Sequence, residues 1–359
     1  MTPDKDRILN ALKEIDAPGG EGNIVSRGMV TGLVLRNGHV GFQIDIGESG
    51  DPEKFEAVRR EAETRVRALP GIKAATAVLT AERPVQSPSP PARPGPDRSR
   101  PEGLRNVKAV IAVASGKGGV GKSTLAVNLT LALAGLGQKV GLLDADIYGP
   151  SVPRLVGMKD ARPEVENRRI RPLFAHGIAT MSMGYLVAEE KAMIWRGPMV
   201  ASAIGQLLGD VDWGALDILV IDMPPGTGDA QLTLAQRAGL AGAVIVSTPQ
   251  DIALIDARKA IEMFRKVGVP VLGIVENMSY FQCPNCGERA EIFGHGGARE
   301  TAADFDVPFL GEVPLHARIR TFSDKGTPII VADSAAAEAA AFRRIAEGVL
   351  DRLFTGRAA

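Results

Sequence analysis

Residues Val110 to Ser123 read VIAVASGKGGVGKS, and this stretch decides the fold. An apolar, β-branched run leads straight into a glycine-rich loop that ends in Lys-Ser. Gly116, Gly121, Lys122 and Ser123 satisfy the pattern G-x-x-x-x-G-K-S/T, with Lys117, Gly118, Gly119 and Val120 between them. Glycines let successive backbone N–H groups point at phosphate oxygens with no Cβ in the way. Lys122 supplies a point charge to the β and γ phosphates, and the Ser123 hydroxyl suits a Mg²⁺ shell. The helix opened by Lys122, Ser123 and Thr124 aims its positive dipole end at the same anion. A strand before the loop and the apolar segment Leu125 to Leu136 after it supply the context the motif requires. The loop is expected to bind a nucleoside triphosphate, ATP, with Mg²⁺.

Composition bounds what surrounds this loop. A chain of 359 residues, 45% hydrophobic, can bury a sizeable core and is expected to hold more than one domain. Lys and Arg balance Asp and Glu at a formal net charge of zero, so no global field draws the chain to nucleic acid or to an anionic membrane. The opening MTPDKDRILN does not read as a secretory signal, and no apolar run is long enough to span a bilayer. Two cysteines, Cys283 and Cys286, are too few for a disulfide framework, and a cytoplasmic location is expected.

The segment PVQSPSPPARPGPDRSRPEG, Pro84 to Gly103, has little to bury and reads as an extended tether. It divides the chain into a small front domain (1–82), a linker (83–105) and a large rear domain (106–359). In front, Asp4 to Ile15 has a helical apolar face. Met29 to Leu35 and Val40 to Ile46 flank Asn37-Gly38, a two-residue hairpin signal. Pro52 to Ala68 reads as a charged amphipathic helix, and Ile72 to Leu79 as a strand. This small α+β module, ordered αββαβ, shows no catalytic constellation and reads as a recruitment or regulatory appendage.

Behind the linker, Val107 to Ala114, Lys139 to Asp144, Ile218 to Asp222, Ala243 to Ser247 and Val271 to Val275 are short apolar runs without polar alternation. Such runs mark parallel strands buried on both faces. Thr124 to Gly135, Met199 to Leu208, Ala230 to Ala238 and Ile252 to Val267 read as the helices between them, and Ala332 to Leu353 as a closing helix. The expected class is α/β: a P-loop NTPase with a doubly wound, mostly parallel sheet and its ligands at the carboxyl ends of the strands.

Acidic residues end two of these strands. Asp222 closes ILVID and suits a Walker-B role, holding Mg²⁺ through water. Asp144 and Asp146 end VGLLDAD, and would point the same way if the strand continued through both. The turn Pro224 to Asp229, PPGTGD, is suited to move with a γ-phosphate. Lys117 is a second lysine where one suffices. It is either a solvated loop residue or a cation that reaches a partner's nucleotide across a two-fold axis, as an arginine finger does in trans.

KGGVGKS resembles the deviant Walker A motif of the MinD/ParA-type ATPases. LLDADIYGPS (Leu142 to Ser151), WRGPM (Trp195 to Met199), IDMPPGTGD (Ile221 to Asp229) and ENMSYFQCPNCG (Glu276 to Gly287) resemble the Mrp/ApbC group of iron–sulfur cluster carriers within that class. The resemblance covers Val107 to Leu353. It implies a nucleotide-sandwich homodimer that hydrolyses ATP slowly and delivers a [4Fe–4S] cluster to apo iron–sulfur proteins, with cluster assembly scaffolds as further partners. By the same resemblance Lys117 is the signature lysine, Asp146 positions the attacking water, and Asn277 binds the adenine. The front domain resembles the small iron–sulfur assembly domain fused upstream in bacterial members. It has no cysteine, which excludes thiol chemistry of its own.

Cys283 and Cys286 are then the expected metal ligands. A C-x-x-C loop brings two thiolates to one centre, whereas an S₄ site or an Fe–S cluster takes four. Two chains about a two-fold axis supply four. CPNCG is also half of a zinc ribbon, with His295 nearby as a third donor, and thiolates alone do not select iron over zinc. His295 itself reads as a loop histidine. A thioredoxin-type disulfide lacks the βαβ start that normally precedes it. Two other classes stay open: a positioning or partition ATPase acting on membrane or DNA, and a reductase resembling the nitrogenase iron protein. Against the first, the C-terminal stretch mixes acids with its arginines. Against the second, that protein's cluster ligands lie far apart in sequence.

Overall fold

The computed structural model describes residues 5–18, 22–36, 39–45, 52–80, 100–167, 169–186, 197–283 and 285–355. The chain divides into two compact units, Met1–Arg93 and Pro94–Ala359. Asn37-Gly38, Trp195, Arg196 and all of the tether before Arg100 lie outside the described residues.

The first unit runs α1 (Lys5–Leu12), β1 (Val30–Arg36), β2 (His39–Asp45), α2 (Pro52–Arg67) and β3 (Ala74–Thr80), the expected αββαβ order. β2 is central, antiparallel to β1 and parallel to β3. Ile8 and Leu12 of α1 and Ala62 and Val66 of α2, each pair one helical turn apart, pack on Val40, Phe42, Ile44, Ala75 and Ala77.

In the second unit β4 (Val107–Ala114), α3 (Lys122–Gly135) and β5 (Val140–Asp144) come first. A short α4 (Val152–Leu155), the ribbon β6 (Val165–Glu166) and β7 (Arg169–Ile170), and the hairpin β8 (Leu173–Ala175) and β9 (Ile178–Ser182) follow. Next are α5 (Gly197–Gly209), β10 (Leu216–Asp222), α6 (Asp229–Ala238), β11 (Gly242–Ser247), α7 (Asp251–Lys266) and β12 (Val271–Gln282). β13 (Arg289–Ala290), α8 (Gly297–Asp304), β14 (Phe309–Leu315), α9 (Ala317–Asp324), α10 (Ile329–Ala332) and α11 (Ala337–Thr355) complete it.

Nine described strands form one sheet in the order β13-β12-β11-β4-β10-β5-β9-β8, with β14 paired to β12. All pairings are parallel except those of β8 and β13. Alternate residues of a strand serve opposite cores, which is why the runs lack polar alternation. On one side Val110 and Ala112 of β4, with Leu219 and Ile221 of β10, share a core with Ile204, Leu234 and Phe264 of α5, α6 and α7. On the other, Ile111, Val113, Ile218 and Val220 meet Leu125 and Leu129 of α3 and Phe342, Ile345 and Val349 of α11. α3 is apolar nearly all round because it lies between the sheet and α11.

Three expectations are corrected. The closing helix does not run unbroken from Ala332: α10 ends there, and α11 starts at Ala337. β12 continues through Gln282, seven residues beyond Val275, because β14 and β13 pair with its second half. β5 stops at Asp144, where the Ala145 amide turns to the Asp222 carbonyl at 2.9 Å. Asp144 and Asp146 therefore do not share a strand face.

Candidate functional site: a phosphate cradle and a cysteine hairpin

The loop from Ser115 to Gly121 joins β4 to α3 at the carboxyl edge of the sheet. Two of its glycines are sterically required. A Cβ on Gly116 would lie 2.0 Å from the Asp256 carbonyl oxygen of α7. Gly121 has φ +84°, and a Cβ there would lie 2.1 Å from Asn277 Nδ2. The Ser115 hydroxyl donates to the Lys117 carbonyl at 2.8 Å. The Gly226 amide donates to the Ser115 carbonyl at 2.9 Å, fastening the PPGTGD turn to the cradle. Gln231 of α6 donates its amide to the Pro224 and Pro225 carbonyls and braces that turn from behind.

Gly118, Gly119, Gly121, Lys122, Ser123, Thr124 and Asp146 line one cleft of about 350 Å³, together with Ser151, Pro225 and Met278. Asp222 lies fully buried at its base. Lys122 Nζ is 2.5 Å from Asp222 Oδ1 and 3.8 Å from Asp146 Oδ2. Asp222 Oδ2 is buried with no hydrogen-bond partner of good geometry, although the nearby Ser123 hydroxyl favours the ionised carboxylate. A buried, under-satisfied carboxylate oxygen next to a hydroxyl suits the oxygen-rich shell of Mg²⁺.

Burial pushes all three carboxylates up. Asp144 is raised to about 7, by desolvation first and by the Asp222 charge second. Asp146 and Asp222 are raised mainly by desolvation, with Lys122 opposing. Asp144 holds the LLDADIYGPS loop in shape. Its carboxylate accepts the Asp146 and Val152 amides, each at 3.1 Å, and the Ser182 hydroxyl of β9 at 3.0 Å. Asp146 faces the cleft instead. This division of labour has no signal in the spacing, because the Ser182 contact comes from a neighbouring strand.

Lys117 is half-buried at the mouth of the loop, and its ammonium has no hydrogen bond or ion pair among the described residues. Asn277 is buried against the loop and donates its amide to the Val120 carbonyl at 2.8 Å. In this structure that nitrogen clamps the cradle, a task that the resemblance did not imply. Met278, the next residue, adopts φ +54° and lines the cleft. Nothing in the sequence marks it, since a left-handed methionine within a strand follows from register rather than from residue type.

The cysteine pair lies at the far end of β12. Cys283 is half-exposed and Cys286 exposed, both as free thiols. The Cys283 amide donates to Glu288 and the Gly287 amide to the Cys283 carbonyl, at 2.8 and 2.9 Å, closing a tight loop. Backbone donors of Cys286 and Asn285 aim at the Cys283 sulfur and lower its pKa, with a thiol–thiol contact to Cys286 adding to them. Among the described residues no three His, Cys, Asp or Glu side chains gather as a metal-binding group. His295 is engaged elsewhere, with its Nδ1 3.0 Å from the Ser279 hydroxyl.

A family described as NUBPL iron-transfer P-loop NTPase, of the ParA type, matches residues 106–350. The chain belongs to this family. A second family, described as iron–sulfur cluster assembly protein, matches residues 5–78. Among similar proteins, the iron–sulfur cluster carrier protein of Synechocystis is 43% identical over 353 residues, 97% of each chain. A nucleotide-binding protein from Archaeoglobus fulgidus, solved in complex with ADP, is 44% identical at a TM-score of 0.58, over 65% of this chain and 91% of that one. The Pyrococcus furiosus cell division ATPase MinD shares the fold at 22% identity and a TM-score of 0.51, over 68% of this chain and 99% of that one. This family member therefore has the expected α/β P-loop NTPase fold. Among its described residues no helix is long and apolar enough to cross a membrane.

Proposed function

We propose that the chain is an ATP-binding, slowly hydrolysing carrier that holds a [4Fe–4S] cluster between two copies of itself and passes it to apo iron–sulfur proteins. One observation carries this reading. A chain with a complete phosphate cradle offers a single pair of free thiols, half-exposed Cys283 and exposed Cys286, and backbone donors favour the thiolate form of Cys283. Four thiolates then require two chains, and a cluster held at such a seam can leave when the seam changes.

The residues divide the nucleotide chemistry among themselves. Loop amides from Gly116 to Ser123 bind the phosphates. Lys122 exchanges its Asp222 partner for phosphate oxygens, which leaves Asp222 and the Ser123 hydroxyl free to hold Mg²⁺. When bound, Mg²⁺ supplies charge neutralisation between the β and γ phosphates. Asp146 orients water at the open side of the cleft, and Asn277 sets the floor beside the base. Lys117 reaches the partner's nucleotide. The front unit has no cysteine and serves recruitment, of apoproteins or of assembly scaffolds.

Anaerobic iron and sulfide analysis after reconstitution, with zinc analysis of the protein as purified, tests this reading. About four iron and four sulfide per dimer are expected. Cys283→Ala or Cys286→Ala loses the cluster and keeps ATP binding. Stoichiometric zinc that iron does not displace overturns the proposal.

A further inference from the structure

Strand β12 touches both sites. Asn277 on this strand grips the Val120 carbonyl of the cradle, and Cys283 follows six residues later. Between them the β12–β14 register slips, from Asn277 to Phe281, around the left-handed Met278. A left-handed non-glycine residue is strained and persists only where its surroundings hold it. Here one of those surroundings is the nucleotide cleft itself, which Met278 lines.

Beyond the cysteines the chain returns through β13, and Arg289 ties this return to the body of the unit. Its guanidinium stacks 3.9 Å above the Tyr280 ring. Its Nη2 lies 3.1 Å from both ring nitrogens of His295 and 3.5 Å from Glu312 Oε2 of β14. His295 meets the Ser279 hydroxyl, which donates at 2.6 Å to the buried Glu276. Glu276 in turn accepts the Gly296 and Ala298 amides, at 3.0 and 2.8 Å, at the start of α8. Glu276, Met278 and Tyr280, alternate residues of β12, are thus each held or pressed by something specific. The short β12–β13 ladder already joins the hairpin to the strand, and Arg289 stiffens that junction by fixing the returning chain to Tyr280 and Glu312.

We propose that Arg289 is a positioning residue: it clasps the cysteine hairpin to the strand that grips the P-loop, so that filling the phosphate cradle changes how Cys283 and Cys286 are presented within one chain. This rests on the two sites assigned under the proposed function and names how one regulates the other. Arg289 touches neither nucleotide nor sulfur and acts through β12.

The test uses the full-length, reduced, metal-free protein at a concentration where sedimentation shows monomers. Iodoacetamide alkylation of the cysteine pair is followed by mass spectrometry, with and without a non-hydrolysable ATP analogue and Mg²⁺. The analogue is expected to change the wild-type rate by about fivefold or more, the lower range of site-to-site coupling. Arg289→Gln should bring that ratio to within about twofold of one, with analogue affinity within about twofold of wild type. Arg289→Lys, which keeps the charge but not the planar stack and fork, should restore it only in part. Tyr280→Leu should repeat the loss from the other side of the stack. A wild-type ratio of one, or an Arg289→Gln ratio equal to wild type, overturns the proposal. Because thiol reactivity needs no cluster, this outcome is independent of the iron and sulfide analysis.

Discussion

Lys122 Nζ and Asp222 Oδ1 form a 2.5 Å ion pair across a hundred residues of sequence, buried at the base of the cradle. Asp144 and Asp146 feel the same ammonium, so three carboxylates share one cation. An entering triphosphate competes for that lysine, and an entering Mg²⁺ relieves the carboxylates that lose it. Nucleotide and metal therefore favour each other's binding here on electrostatic grounds alone.

Lys122→Ala should abolish hydrolysis and also weaken the nucleotide-free protein. Removing one partner of a buried pair costs about 3–5 kcal/mol. The loss should shrink as pH is lowered, because burial already holds Asp222 above the ordinary carboxylate range and a proton then relieves the unpaired charge. Urea denaturation across a pH series checks this, and stability equal to wild type throughout would refute the buried pair.

Asp144 gives a second pH signature. Its value is raised to about 7 in the fold, against an ordinary 3.8. The folded state then keeps a proton that the unfolded chain releases, so stability is full below the unfolded value, falls as pH rises through this window, and levels off above about 7. The effect should reach a few kcal/mol, at about 1.4 per unit. Asp144→Asn should flatten this part of the pH profile. It should also be less stable than wild type at pH 5, because an amide NH₂ would face the Val152 or Asp146 donor.

Lys117 and Asp146 allow a complementation experiment. Lys117→Ala and Asp146→Ala homodimers should each bind ATP and hydrolyse almost none. Mixed, they rebuild one working site per heterodimer, giving at most about a quarter of wild-type turnover. A trans cation of the arginine-finger kind contributes about 10³–10⁵ in rate, so the signal should stand clear of both parents. Heterodimers that form without regaining turnover would place the action of Lys117 within its own chain.

Cys283 should alkylate at lower pH than an unperturbed thiol, because backbone donors of Cys286 and Asn285 favour its thiolate. Cys286→Ser retains those amides and should retain most of the lowered value. Peptide mapping of iodoacetamide adducts between pH 6 and 9 measures it. A Cys283 profile matching that of free cysteine would mean that the loop does not prepare a thiolate.

Much of the fold was legible because it is written locally. β4 spans the stretch expected of it, Val107–Ala114, and α6 and α7 fall within a residue of their expected bounds. Buried parallel strands declare themselves as unbroken apolar runs, and the cradle by its glycines. The hairpin of β8 and β9, and strand β14, carry no such local signal. The first is held by pairing with β5, and the second by pairing with β12 and packing on α11.

The phosphate loop, the doubly wound sheet, the two-thiol limit per chain and the strand-end position of Asp222 can all be read from the chain before it folds. Each depends on residue type and short spacing. Folding brings about the rest: Asp144 shapes a loop while Asp146 faces the cleft, Asn277 braces Val120, and Arg289 reaches Tyr280, His295 and Glu312. The physical reason is the same in each case. A polar side chain takes its role from whichever donors, acceptors and rings other strands bring within about 3–4 Å, and that proximity is set by register and crossover connections rather than by neighbours in the chain.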